Sequence, residues 1–208
     1  ITFAGTDNKF GDLQLTGDVN VDGDIAVNGA LNTEGGFNLA GSSNLSTTEG
    51  LFVNGGIATL AGTVVKGDVT LTGTDAESTL SGTIAENLTL DNAQLSSSGT
   101  VEGSTTLANV STLTQTGGTL GAVSADASTF TQNEGDAGAV TLTNGASATL
   151  AGTVDSLVAT NAKANVSGTV SGDMTLTNAT AEVSGTVEGD TTLANGSALT
   201  QTGGTLGA

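Results

Sequence analysis

The stretch Gly168-Thr169-Val170-Ser171-Gly172-Asp173-Met174-Thr175-Leu176-Thr177-Asn178 returns seventeen residues later as Gly185-Thr186-Val187-Glu188-Gly189-Asp190-Thr191-Thr192-Leu193-Ala194-Asn195. A unit this short carries too few apolar residues to bury a core alone, so it must stack on its own copies. Its Gly-Thr-apolar corner can be followed outward from Gly62 through Gly82, Gly99, Gly118, Gly152, Gly168 and Gly185 to Gly204, and Gly135-Asp136-Ala137 is a degenerate member. An apolar column follows the corner, from Val64 and Ile84 to Val187 and Leu206. A second column collects Leu71, Leu90, Leu107, Leu142, Leu176 and Leu193. The third reads Leu80, Leu95, Leu113, Phe130, Leu150, Val166, Val183 and Leu199. Three columns predict three walls.

Towards the N-terminus the period is six: Gly11-Asp12-Leu13-Gln14-Leu15-Thr16, then hexads opening at Gly17 and Gly23. Each hexad holds apolar residues at i and i+2, which point to one face of a short strand before the Gly turns the corner. The predicted fold is all-β: a right-handed, three-sided parallel β-helix (β-solenoid) with about 17–18 residues per coil and some twelve coils. Residues 1–10 read as a cap or docking strand outside the repeat, 11–61 as irregular first coils with hexads, and 62–208 as a regular solenoid. The chain stops in mid-coil at Ala208 and starts without Met, so a longer parent is expected.

The best-kept position is the corner between the second and third walls: Asp75, Asn92, Asn109, Asp126, Asn144, Asn161, Asn178 and Asn195. Asn tolerates the left-handed backbone of a turn, and stacked amides ~4.8 Å apart can hydrogen-bond one another. A structural ladder is the expectation, rather than a file of ligand-binding amides. Above the short period lies a longer one, since residues 98–122 recur at 184–208 with 22 of 25 positions identical and an offset of 86. Eighty-six residues make five coils, so a five-coil block reads as duplicated.

Composition narrows the chemistry. The 208 residues include 32 Gly and no Pro, Cys, His, Trp or Tyr; three Lys (Lys9, Lys66, Lys163) stand against 21 acidic residues, for a net charge of −18. Such a surface repels nucleic acid and anionic lipid, and no run of about 18–20 apolar residues predicts membrane insertion. Without His, Cys, Tyr or Arg, a catalytic base or nucleophile is hard to assemble, and no carboxylate pair stands out from the repeat. No enzyme is expected.

The sharpest motif is Asp18-Val19-Asn20-Val21-Asp22-Gly23-Asp24, which satisfies the opening of a calcium loop. Its twelfth position, normally a bidentate carboxylate, is Gly29, and its flanks read as strand. Asp18, Asn20, Asp22 and Asp24 are therefore the candidate metal ligands, against the plainer reading of solvated Gly-Asp corners. Calcium is the one cofactor the sequence admits. The outward Thr file at Thr63, Thr83 and Thr100 raises ice binding, but the residues two further on (Val65, Ala85, Glu102) do not widen it. Thr-x-Thr pairs such as Thr141/Thr143 and Thr175/Thr177 read as sporadic, a β-branched preference of outward strand positions.

The alternation G-x-V-x-G-D-x-x-L, as in Gly185–Leu193, is similar to that of bactofilins, bacterial cytoskeletal proteins that polymerise end to end as triangular β-helices. The chain departs from them in length, in its near absence of basic residues and in the large duplication. The Ser/Thr/Asn/Gly-rich repeats, such as Ser184-Gly185-Thr186-Val187, resemble passenger regions of autotransporters and other large bacterial surface adhesins, which form right-handed β-helices. Composition favours the surface. The resulting expectation is a non-enzymatic structural subunit of an extracellular filament, surface layer or matrix fibre of a prokaryote, with itself as partner. The alternative is the stalk or ligand-binding face of a secreted adhesin, with surface glycans as ligand. Insertions breaking the coil would favour the adhesin, and residues 31–58 and 123–136 are the candidate breaks.

Overall fold

Apolar residues two apart, separated by Gly and Asn corners, give the chain strands of two to five residues on most sides of its coil. The computed structural model describes residues 1–73 and 76–207. They form a parallel β-solenoid of about 11 turns with about 18 residues per turn, slightly fewer turns than expected. Three strand segments make each turn, and each pairs in parallel with its counterpart one turn on: Thr83–Ile84 with Thr100–Val101, Leu88–Asp91 with Thr105–Ala108, and Gln94–Ser97 with Thr112–Leu120. At ~4.8 Å per turn the stack is about 50 Å long. No helix among the described residues is long and apolar enough to cross a membrane.

The first predicted column is complete. Ile84 pairs with Val64 and Val101, then Leu120, Ala137, Val154, Val170, Val187 and Leu206 follow one above another. Gly135 thus belongs to the glycine corner that precedes it. In the second column, the gaps after Leu107 and Leu142 are filled by Ala125 and Ala159, both fully buried.

The third column requires correction. Its wall has two inward positions, and the predicted file crosses between them. Leu80 stands over Ser97, whereas Leu95 stands over Ser78; Phe130 is followed by Ala148, whereas Leu150 follows Gln132. All of these side chains face inward, yet one stretch of the wall's second file is polar: Ser97, Gln115 and Gln132, each 0% exposed.

Residues 1–10 do not stand apart from the stack. Thr2–Phe10 pairs in parallel with Val19–Val27, placing Phe3 against Val21 and Phe10 against Val27, with a bulge between Gly5 and Asn8. Phe3 and Phe10 close over the core edge-to-face, 5.2 Å between ring centroids. Residues 31–58 and 123–136 do not break the coil either. Strands at Phe37–Leu39, Asn44–Thr47 and Gly50–Asn54 continue the three walls, as do Val123–Asp126 and Thr129–Thr143. What changes is the first wall, which shortens from four residues at Thr63–Lys66 to two at Thr83–Ile84.

The corner before the first wall is a spine of glycines. A Cβ at Gly168 would overlap the carbonyl oxygen of Gly152, one at Gly185 that of Gly168, and so on from Gly82 to Gly204. Backbone approaches backbone here more closely than any side chain permits.

Candidate functional site

Polar chemistry in this chain is concentrated where coils meet at corners. At the corner between the second and third walls, Asn92, Asn109, Asn144, Asn161, Asn178 and Asn195 all take positive φ, between 48° and 54°. At Asp126 the left-handed conformation passes to the next residue, Ala127 (φ 47°). Asp75 lies outside the described residues. Of the expected ladder one rung joins two corner residues, Asn178 Nδ2 donating to Asn161 Oδ1; Asn144 and Asn109 instead donate to Asp126 and Asp91, carboxylates at the strand position before the corner, each bond 2.6 Å long.

A second ladder, not anticipated, occupies the corner between the first and second walls. Asp68 Oδ1 accepts both the backbone N–H and Nδ2–H of Asn87 (3.1 and 3.0 Å). Asn87 Oδ1 in turn accepts the N–H and hydroxyl of Ser104, both at 2.9 Å. Asp173 Oδ1 accepts the N–H of Asp190 at 2.9 Å. The recurring Gly-Asp pairs at 67–68, 172–173 and 189–190 were the signal in the sequence. Each carboxylate replaces the β-ladder bond that the corner interrupts.

The calcium candidates follow the same pattern. Asn20, Asp22 and Asp24 lie along the extended strand Val19–Val27, and Asp18 directly precedes it. Asp18 Oδ1 accepts the N–H of Gly36 (2.9 Å), and Asp24 Oδ1 accepts the N–H and Nδ2–H of Asn44 (3.1 and 2.8 Å). Asn20 Oδ1 accepts Asn38 Nδ2–H at 3.3 Å, while Asp22 is exposed. Val19–Val21 pairs with Phe37–Leu39 and Ile25–Val27 with Asn44–Thr47, so the four candidates are spread over two walls and their corners, whereas a calcium loop curls its ligands around one point. No group of three or more acidic residues that could hold a metal forms among the described residues.

Sequence reasoning missed the buried glutamines. Where the corner after the third wall is widened by one residue, Gln115 Nε2 donates to the carbonyls of Gly118 (3.3 Å) and Asp136 (2.9 Å). Gln132 Nε2 repeats this with Gly135 (3.1 Å) and Thr153 (3.0 Å). The Oε1 atoms of both have no partner, nor does Ser97 Oγ in the same file. The repeated Gln-Thr-Gly-Gly-Thr-Leu at 115–120 and 201–206 marked this device.

A shallow depression of 620 Å³ lies over the glycine corners at 35–36 and 55–56, bordered by Asp18, Asn20, Glu34 and Ile57. Among its described lining residues are two carboxylates, the Thr59 hydroxyl and the apolar Ile57, which offer hydrogen bonding and a small apolar contact. Comparisons with family models, with curated proteins and with solved structures gave no match to this chain.

Proposed function

We propose that the chain is a non-enzymatic rod, a structural subunit of an extracellular filament, surface layer or matrix fibre of a prokaryote that assembles by stacking or edge pairing of solenoids. The observation that supports this reading is that strand pairing continues through residues 31–58 and 123–136 with only local register shifts beside Leu45 and Gln132, where an adhesin's binding loops would leave the coil. Corner carboxylates and amides are spent on holding coil to coil, which suits a stiff spacer. The right-handed sense follows the general preference of parallel β-crossovers. The resemblance to autotransporter passengers and to bactofilins belongs to this proposal, as does the location outside the cell.

A second reading, a face of a secreted adhesin, rests on the depression beside Asp18 and Glu34, with a surface glycan as its ligand. Electron microscopy of negatively stained protein, with calcium and with chelator, separates the two. Long filaments or sheets under both conditions support the structural subunit. Filaments with calcium alone return Asp18, Asn20, Asp22 and Asp24 to the mechanism. Isolated short rods under both conditions overturn self-assembly and favour the adhesin stalk.

A further inference from the structure

The outward positions of the second wall fall into two parallel files. In one, Thr70, Thr89 and Thr106 stand in register, continued through Ser124 to Thr141 and, past Val158, to Thr175. In the other, two residues along each strand, Thr72 is followed by Asp91, Ala108 and Asp126 on the next three coils, and then by Thr143, Thr160 and Thr177. The pairs that looked sporadic along the chain, Thr141/Thr143 and Thr175/Thr177, are therefore nodes of one grid. Its spacing is ~4.8 Å between coils and ~6.6 Å along each strand, and the wall runs without a bulge.

Three properties distinguish this grid. Its hydroxyls are available, because among these threonines only Thr143 bonds a protein group, the Asp126 carboxylate (3.1 Å) and the Ala125 carbonyl (3.5 Å). Its carboxylates are occupied, since Asp91 and Asp126 each accept an Asn amide. Its side chains are stiff: Thr is restricted at χ1, and each is flanked by a residue of the coil above and below. The first wall has no second hydroxyl file. The third has a shorter grid, Thr112/Thr114, Thr129/Thr131 and Ser147/Thr149, in which the Thr129 and Ser147 hydroxyls bond each other (3.4 Å) and which ends at Lys163 and Glu182.

A two-dimensional grid of fixed donors and acceptors, interleaved with methyl groups, favours a ligand that is itself a periodic hydrogen-bonding lattice. A disordered glycan or peptide would engage only a few nodes, whereas a lattice engages many weak contacts at once. Sugar lattices are ordinarily held by aromatic stacking platforms, and the chain has no Trp or Tyr. We propose that the outer face of the second wall binds ordered water, the surface of ice. The proposal stands apart from the structural role above, since a filament subunit or an adhesin could equally carry such a face.

The test is partition of the purified protein into slowly growing ice, measured against a labelled non-binding protein. Thr106→Lys combined with Thr141→Lys disrupts the second wall, and Thr114→Lys combined with Thr149→Lys places the same charges on the third. Circular dichroism establishes that both variants fold. The expected result is about tenfold enrichment of the unaltered chain and the third-wall variant in ice, lost in the second-wall variant. Exclusion of the unaltered chain from ice overturns the proposal, as does equal loss in both variants. Retention on crystalline cellulose or chitin without enrichment in ice overturns it in favour of a polysaccharide lattice.

Discussion

Gly168 lies so close to the carbonyl oxygen of Gly152, one coil below, that a Cβ on Gly168 would overlap it. The contact is backbone against backbone, so no side chain can swing away to relieve it. Gly168→Ala should therefore destabilise the fold by about 2–3 kcal/mol, as overpacking of a rigid site does. Gly117→Ala, where a Cβ would meet nothing within 4 Å, should stay within about 0.5 kcal/mol. Denaturant unfolding of the two variants checks the contrast.

Val110 marks a place where the chain departs from its own pattern. It is 77% exposed with φ 66°, a conformation that a β-branched residue rarely adopts, whereas its counterpart in the duplicated block, Gly196, has φ 77°. Val110→Gly should raise stability by about 0.5–1 kcal/mol by removing left-handed strain, net of glycine's entropy. A higher melting temperature is the expected readout, and a lower one would show that Val110 makes a contact worth more than its strain.

The corner asparagines combine two contributions that substitution can separate. Asn178 supplies both the left-handed backbone (φ 48°) and the 2.6 Å bond to Asn161. Asn178→Gly should lose only the bond, about 0.5–1.5 kcal/mol. Asn178→Ala should lose the backbone tolerance as well, a further cost of about 1 kcal/mol. Equal effects of the two would assign the whole contribution to the hydrogen bond.

Gln132 holds its amide Nε2 between the carbonyls of Gly135 and Thr153 inside the core. Gln132→Glu keeps the shape but turns a donor into a carboxylate facing two carbonyl oxygens. At neutral pH it should cost at least about 3 kcal/mol, the scale for a buried unpaired charge, and acidification should relieve part of that loss. Urea midpoints at neutral and mildly acidic pH measure it.

The stacking was legible because Val170, Val187 and their counterparts follow a Gly-Thr corner at nearly constant intervals, so one column fixes the turn length. The third wall was less so. Following apolar residues leads from Leu80 to Leu95 and later from Phe130 to Leu150, each step slipping two residues, because Ser97, Gln115 and Gln132 hold the inward positions that apolar residues hold elsewhere. Residues 1–10 escaped the period because the bulge between Gly5 and Asn8 shifts their register. The hydroxyl grid could not be read along the chain, since its nodes are neighbours only across coils. The corner bonds of Asp18 and Asp24 were hidden for a related reason: their partners, Gly36 and Asn44, lie one coil away.

The stack itself is the claim on which the rest depends, and spin labels measure it directly, since the chain has no cysteine to interfere. Thr70, Thr141 and Thr175 share one outward file, with Thr141 four coils and Thr175 six coils from Thr70. Pulsed dipolar spectroscopy on the Thr70→Cys/Thr141→Cys and Thr70→Cys/Thr175→Cys variants should give separations near ~19 and ~29 Å, increasing by ~4.8 Å per coil. Separations that do not grow with coil number, or that fall into broad distributions, would contradict the solenoid register.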